Sequence, residues 1–302
     1  MKVIEVTGLR KAYAGLEAVR DLSFSVDEGE VLAILGPNGA GKTTTVEILE
    51  GYRDRDGGDV HVLGFDPAHG GAEFRSKIGI VLQECGFDPF LTVREMLEMY
   101  AGYYPAPRAV DEVVELVGLE EKATSRVRTL SGGQQRRLDL GLGLIGDPDL
   151  LFLDEPTTGF DPSARRQAWE LVRRMGALGK TVLLTTHYME EAQALADRVI
   201  VISAGHKVAD GTPESIGGRS TAEVSIRFVL AAGIGLADLP VEATEEAGGV
   251  AVVHTAHPTA VLRDLTGWAL ARGEELEGLT VARPSLEDVY LQLTGEDGEV
   301  LS

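Results

Sequence analysis

Val31-Leu32-Ala33-Ile34-Leu35-Gly36-Pro37-Asn38-Gly39-Ala40-Gly41-Lys42-Thr43-Thr44 is the stretch on which the reading of this chain turns. Residues 30–35 form a short, nearly continuous apolar run, the pattern of a strand buried on both faces. The glycines between 36 and 41 break it, and Lys42–Leu49 then reads as a helix. Strand, glycine loop and helix in that order begin an α/β unit. Residues 36–43 also fit G-x-x-x-x-G-K-[ST]. Each residue type has a chemical reason. Gly36, Gly39 and Gly41 let the backbone turn its N–H groups inward around phosphates, with Pro37, Asn38 and Ala40 filling the variable positions and Thr44 closing the stretch. Lys42 puts a positive charge near the β and γ phosphates, where negative charge is densest. The Thr43 hydroxyl is a ligand for Mg²⁺, and the helix start adds its positive end. A glycine turn with a surface lysine would share the spelling. The strand before it and the helix after it favour the phosphate reading.

Outward from the loop, Leu150-Leu151-Phe152-Leu153-Asp154-Glu155 is an apolar strand ending in two acids. Acids at the carboxyl end of a strand in an open α/β sheet lie beside the ligand crevice. Asp154 is the candidate to bind Mg²⁺, through its water shell, because Mg²⁺ keeps waters. In a period-two strand Glu155 points the other way, and it could polarise the attacking water. The loop and this pair together predict that the chain binds and hydrolyses ATP.

Other positions carry weaker signals. Gln83 follows a middle strand at residues 78–82 and could reach metal and water with its amide. His187 follows the strand Thr181–Thr186 and could hydrogen-bond the γ-phosphate, or serve only structure. Tyr13, between the first two strands, could stack on adenine or be an ordinary tyrosine. Leu130-Ser131-Gly132-Gly133-Gln134 says more. Ser131 and Gln134 have capping-box spacing, but two glycines are poor helix formers, so capping alone does not explain them. Glycines at a helix start let a phosphate approach closely, and Ser131 adds a hydroxyl. One chain already has one phosphate loop, so a second phosphate-facing helix start predicts a site shared between two chains.

Taken together, these residues resemble the ATP-binding subunits of ABC transporters. Tyr13 fits the A-loop, residues 36–44 the Walker A loop and Gln83 the Q-loop. Residues 130–134 fit the LSGGQ signature, residues 150–155 Walker B, Asp161 the D-loop and His187 the switch histidine. The resemblance implies a P-loop NTPase of the ABC type: a mixed sheet with helices, an antiparallel β subdomain and a helical subdomain. It implies a head-to-tail dimer with a second ATPase subunit, expected to be a second copy of the same chain. Each ATP would lie between the Walker A loop of one subunit and the signature helix of the other. Glu155 would be the general base, with Lys42, Gln83 and His187 as its catalytic neighbours and Thr43, Gln83 and Asp154 on Mg²⁺. Asp161 would help join the two sites. Gln83 and the helical subdomain, about residues 84–147, would couple ATP to a separate integral membrane permease. The D-loop reads Thr158-Gly159-Phe160-Asp161 where the family often has Ser-Ala-Leu-Asp, with the aspartate kept. Arg136-Arg137-Leu138-Asp139 and Ser285-Leu286-Glu287-Asp288-Val289-Tyr290 further resemble the drug-resistance type of ABC-2 exporter ATPase. That implies export of a drug-like, lipid-like or polysaccharide substrate.

Composition bounds these readings. The chain has 302 residues, 44% apolar and 25% charged, enough for two domains with a sizeable core. Lys and Arg number 28 against 48 Asp and Glu, a net charge of −20. A field of that sign does not draw the chain to nucleic acid. A single cysteine, Cys85, allows no intrachain disulfide and fits a reducing compartment. The N-terminus lacks a signal-peptide shape, and no apolar run approaches the ~18 residues of a membrane helix. The expected place is cytoplasmic, peripheral on the inner face of the cell membrane. Past Gly217-Gly218 the composition shifts, so residues 1–215 are expected to form the ATPase domain and residues 216–302 a small α+β accessory domain. The competing reading is a soluble ABC ATPase uncoupled from transport. It is disfavoured because residues 41–150 lack sustained heptads and the motifs occur once.

Overall fold

The computed structural model describes residues 1–81, 86–219, 221–231 and 233–294. Two units divide the chain, one built on Met1–Pro213 and the other Glu214–Gln292.

The first unit opens with β1 (Lys2–Tyr13) and β2 (Leu16–Asp27), a long antiparallel pair, followed by β3 (Val31–Leu35) and α1 (Lys42–Leu49). Next come β4 (Gly57–Val62), α2 (Gly71–Lys77) and β5 (Ile78–Val81). Three helices follow, α3 (Val93–Ala101), α4 (Val110–Leu116) and α5 (Gly132–Leu144). The chain then alternates through β6 (Leu150–Asp154), α6 (Pro162–Ala177), β7 (Thr181–Thr186) and α7 (Met189–Leu195), and closes on the hairpin β8 (Arg198–Ser203) and β9 (His206–Gly211). Among the described residues these strands make two sheets. One is antiparallel, ordered β2-β1-β4. The other is mixed, ordered β5-β6-β7-β3-β8-β9, parallel except for β9.

Burial explains the mixed sheet. Every residue of β3, β6 and β7 is buried, as a central parallel strand with both faces covered requires. The main core joins the two sheets, with Leu9, Leu22 and Val26 packing with Leu32, Ile34, Phe152, Leu183 and Ile200. The three helices after β5 pack among themselves. Gly141 on α5 faces Leu97 of α3 and Val113 of α4, which lets the helices approach closely. The order β6-β7-β3 matters most for function. It sets the carboxyl ends of three neighbouring strands side by side, where an open α/β sheet binds ligands.

The second unit holds β10 (Val224–Val229), β11 (Thr244–Glu246), β12 (Val250–Thr255), α8 (Pro258–Arg272) and β13 (Thr280–Ala282), and α9 (Leu286–Thr294) begins in it. Its antiparallel sheet runs β11-β12-β10-β13. Alternate residues Val224, Ile226 and Phe228 pack with Ala251, Val253 and Leu265. This is the small α+β fold expected from the sequence.

Three elements escaped the sequence reading. β4 offers only Val60 and Val62 as alternating apolar residues, behind a glycine pair that reads as a turn. α2 buries only Phe74 and so shows no helical period. β11 is a fully exposed edge of three residues. Register shifts interrupt the alternation of β1, so its pattern in sequence is shorter than the strand itself.

Candidate active site

Gly41 carries the turn from β3 into α1. Its φ is +101°, and a Cβ there would lie 2.3 Å from the Ala18 carbonyl oxygen, so only glycine fits. No side chain caps α1, so its first N–H groups are offered to whatever occupies the loop. Lys42 follows and is 5% exposed. Its Nζ donates to the carbonyl oxygens of Gly36 at 2.7 Å and Pro37 at 3.1 Å, and stands 3.7 Å from Glu155 Oε1. Burial pushes the Lys42 ammonium below its usual range, only partly offset by the Glu155 and Asp154 carboxylates. Phosphates placed here would add negative charge that further favours the ammonium form.

β6 delivers Asp154 as its last residue. One carboxylate oxygen accepts from the Thr185 hydroxyl, and the other lies 3.4 Å from the Thr43 hydroxyl. Hydroxyl and carboxylate make an oxygen-only donor set, which suits Mg²⁺. Among the described residues no cluster of three or more His, Cys, Asp or Glu could hold a metal alone. Mg²⁺ is usually held by one or two protein oxygens together with substrate phosphates, which a Thr43 and Asp154 pair fits. Gln83, the third expected metal contact, lies outside the described residues.

Glu155 does not follow the strand alternation assumed from sequence. β6 ends one residue earlier, and Glu155 has φ +45°, in the left-handed region. That conformation costs a non-glycine residue roughly 1–2 kcal/mol. Its N–H is held by the Thr185 carbonyl at 3.2 Å and the Thr185 hydroxyl at 3.1 Å. The turn sends the carboxylate toward Lys42, with His187 Nδ1 3.2 Å from Oε1 and the Thr158 hydroxyl donating to Oε2 at 3.0 Å. Burial raises the Glu155 carboxyl, but the contacts with His187, Thr158 and Lys42 outweigh it and hold it below its ordinary value. It is therefore ionised at neutral pH, the state a proton acceptor needs. His187 follows β7, its ring against Tyr188 with centroids 4.0 Å apart.

The structure thus gathers Lys42, Thr43, Asp154, Glu155 and His187. Tyr13 ends β1 with its ring 37% exposed, between Lys11 Nζ at 5.5 Å and the Arg53 guanidinium at 5.2 Å. The signature residues lie elsewhere. Ser131 caps α5 in a reciprocal box with Gln134, as the spacing predicts. Ser131, Gly132, Gly133 and Gln134 line a cavity of about 550 Å³ with Thr158 and Asp161, and no residue of the phosphate loop at 36–44 lines it. Nothing stands within 4 Å of where a Gly132 Cβ would be, so that surface is open to an incoming group. The Asp161 carboxylate caps α6, accepting from Ser163 N at 2.8 Å and Ala164 N at 3.0 Å.

Sequence reasoning gave no individual site role to Thr158, Thr185 or Arg136. Thr185 was detectable as a polar residue at the end of a wholly buried strand, in register with Asp154.

Glu50, at the end of α1, is 5% exposed, and among the described residues its Oε2 has no hydrogen-bond partner. Burial, with the Asp154 and Glu47 carboxylates near, pushes its carboxyl up to about 8. The unfolded chain releases this proton near the ordinary value of 4.5, and the folded chain keeps it until about 8. Stability tied to Glu50 is therefore full below the lower value and lost as pH rises to the upper one, by roughly 3–5 kcal/mol. Glu50→Gln should flatten that fall in melts run from pH 5 to pH 8. Parallel pH dependence in parent and variant would contradict it.

Among known families, residues 19–158 match the ABC transporter model, and residues 224–285 match the C-terminal domain of ABC transporter domain-containing protein-like chains. The chain is 40% identical to the Nod factor export ATP-binding protein I of Rhizobium johnstonii, over 98% of this chain and 96% of that one. It is 36% identical to the linearmycin resistance ATP-binding protein LnrL of Bacillus subtilis, over 97% and 98%. A solved ATP-binding subunit of an ABC transporter superposes with a TM-score of 0.64 at 27% identity, covering 70% of this chain and 91% of that one. A dimeric ATP-binding cassette in a post-hydrolysis state with ADP and Pi gives 0.62 at 25% identity, covering 69% and 98%. With similarity running through both units and the phosphate loop facing its carboxylates, this chain belongs to the ABC transporter family as an ATP-binding, ATP-hydrolysing translocase subunit.

Proposed function

We propose that the chain is the motor of an exporter of the ABC-2, drug-resistance type, acting as a head-to-tail dimer on a separate membrane permease. The observation that carries the dimer is the separation of two half-sites. Lys42, Thr43, Asp154, Glu155 and His187 cluster at the sheet, while the open Ser131 helix start faces a different cavity. A second copy, turned end to end, would bring its helix start to the γ-phosphate.

The geometry supports the following residue roles. The loop N–H groups of residues 36–44 and Lys42 hold the phosphates, and Tyr13 offers a face for adenine. Thr43 and Asp154 would hold Mg²⁺, which would supply positive charge to offset that of the phosphates. Glu155, ionised and aimed into the site, orients the attacking water and takes its proton. His187 steadies Glu155 and presents its ring toward the γ-phosphate. Asp161 holds the α6 start at the dimer face.

A groove of about 350 Å³ lies beside the helical layer, lined by Tyr52, Arg75, Tyr100, Tyr104 and Asp139 among others. The permease is proposed to dock there. Among the described residues no helix is long and apolar enough to cross a membrane, so the crossing falls to that partner. A lipid-like or drug-like cargo is supported by relatives named for Nod factor export and linearmycin resistance, which align over nearly the whole chain. Purification of the tagged full-length chain from native membranes tests the coupling. An integral membrane polypeptide should co-purify and stimulate the ATPase in vesicles. An ATPase indifferent to every such polypeptide recovered would contradict it.

A further inference from the structure

Arg136 lies on the second turn of α5, and its side chain is only 10% exposed. Three of its contacts define what it does. Nε donates to the Pro156 carbonyl oxygen at 3.0 Å, and one terminal nitrogen donates to the Asp154 carbonyl oxygen at 3.4 Å. The other terminal nitrogen donates to Asp139 Oδ2 at 2.6 Å, one turn further along the same helix. The two carbonyls bracket Glu155, whose φ is +45°. A planar guanidinium fixed to α5 by Asp139 therefore grips the main chain on both sides of the residue with the unfavourable backbone conformation.

We propose that Arg136 is a positioning residue that ties the signature helix to Glu155 of the same chain, so that ATP at one site sets the base of the other. The proposal rests on the shared-site reading above. ATP held by one chain meets the Ser131 helix start of its partner. That contact fixes the partner's α5, and through the Arg136 grip it fixes the partner's Asp154 and Pro156 carbonyls. The partner's Glu155 then stands in its working orientation only when the neighbouring site is filled. Strand ends move little by themselves, whereas a helix start that touches ligand can shift as a unit, so the link has a direction: from phosphate to helix to base.

Mixed dimers of full-length chains test this. One chain carries Glu155→Gln, so turnover relies on the Glu155 of the other. Arg136→Met on the chain with intact Glu155 is expected to lower the ATPase rate at saturating ATP by at least about tenfold, with KM changed by less than about twofold. On the Glu155→Gln chain the same substitution should leave the rate within about twofold. Equal rates in the two arrangements, or a loss confined to the second, would overturn the assignment. Arg136→Lys keeps the charge and the buried stem but cannot hold both carbonyls while paired with Asp139. It should obey the same placement rule with a smaller loss, and the assignment falls if neither variant does. Ser131→Arg on the Glu155→Gln chain is the control. If it leaves turnover intact, the shared site itself is wrong, independently of Arg136.

Discussion

Glu155→Gln is expected to lower the ATPase rate about 10²- to 10⁴-fold, the range seen when a positioned proton acceptor is removed. ATP binding should survive. The phosphate contacts belong to the loop, Lys42 and Thr43, all of which the substitution leaves in place, although Lys42 loses its carboxylate neighbour. The amide keeps the size of the carboxyl, so it still reaches the Thr158 hydroxyl. It also removes a negative charge 3.7 Å from Lys42 Nζ, where the γ-phosphate would otherwise meet repulsion. The variant should therefore hold ATP at least as tightly and accumulate the closed dimer. Turnover assays beside equilibrium binding of a fluorescent ATP analogue separate the two effects. Parental turnover in this variant would remove Glu155 from its proposed role.

Ser131→Arg has the second largest expected effect, and it acts on the other half-site. Ser131 is the N-cap of α5 and stands beside Gly132, which leaves the surface open. Losing the cap costs about 1 kcal/mol of local stability, which the chain should tolerate. A guanidinium in that opening would fill the space proposed for the phosphate of the neighbouring chain. Loss of such a preorganised donor surface lowers turnover by roughly 10²- to 10³-fold. Binding to the isolated chain should stay near parental, because no residue of the phosphate loop lines that cavity. Full activity in Ser131→Arg would mean that one chain hydrolyses ATP alone.

The parts of this site that sequence made legible are local. The loop at residues 36–44 is written as strand, glycines and helix, and the fold follows from that order. The Ser131 capping box needs only three residues of spacing, and the structure forms it. Asp154 was placed because a buried strand ends there. What sequence did not reveal depends on contacts across the chain. Arg136 reads as one more charge on a helix until α5 lies against the end of β6. Thr185 gains meaning only because β7 sits beside β6 in register. Glu155 was aimed by strand alternation, but its left-handed φ overrides that rule at the point where the strand stops. In the same way β4 and β11 are strands by pairing and not by pattern, since neither has enough apolar residues to announce itself.

The central claim is that a working site needs two chains. The direct measurement is the mass in solution of full-length Glu155→Gln with ATP and Mg²⁺, by light scattering. The account predicts twice the chain mass of 32.2 kDa with ATP, a single chain with ADP, and a single chain again when Ser131→Arg is added to Glu155→Gln. An ATP-loaded Glu155→Gln chain that stays monomeric, or a dimer that forms despite Ser131→Arg, would contradict it.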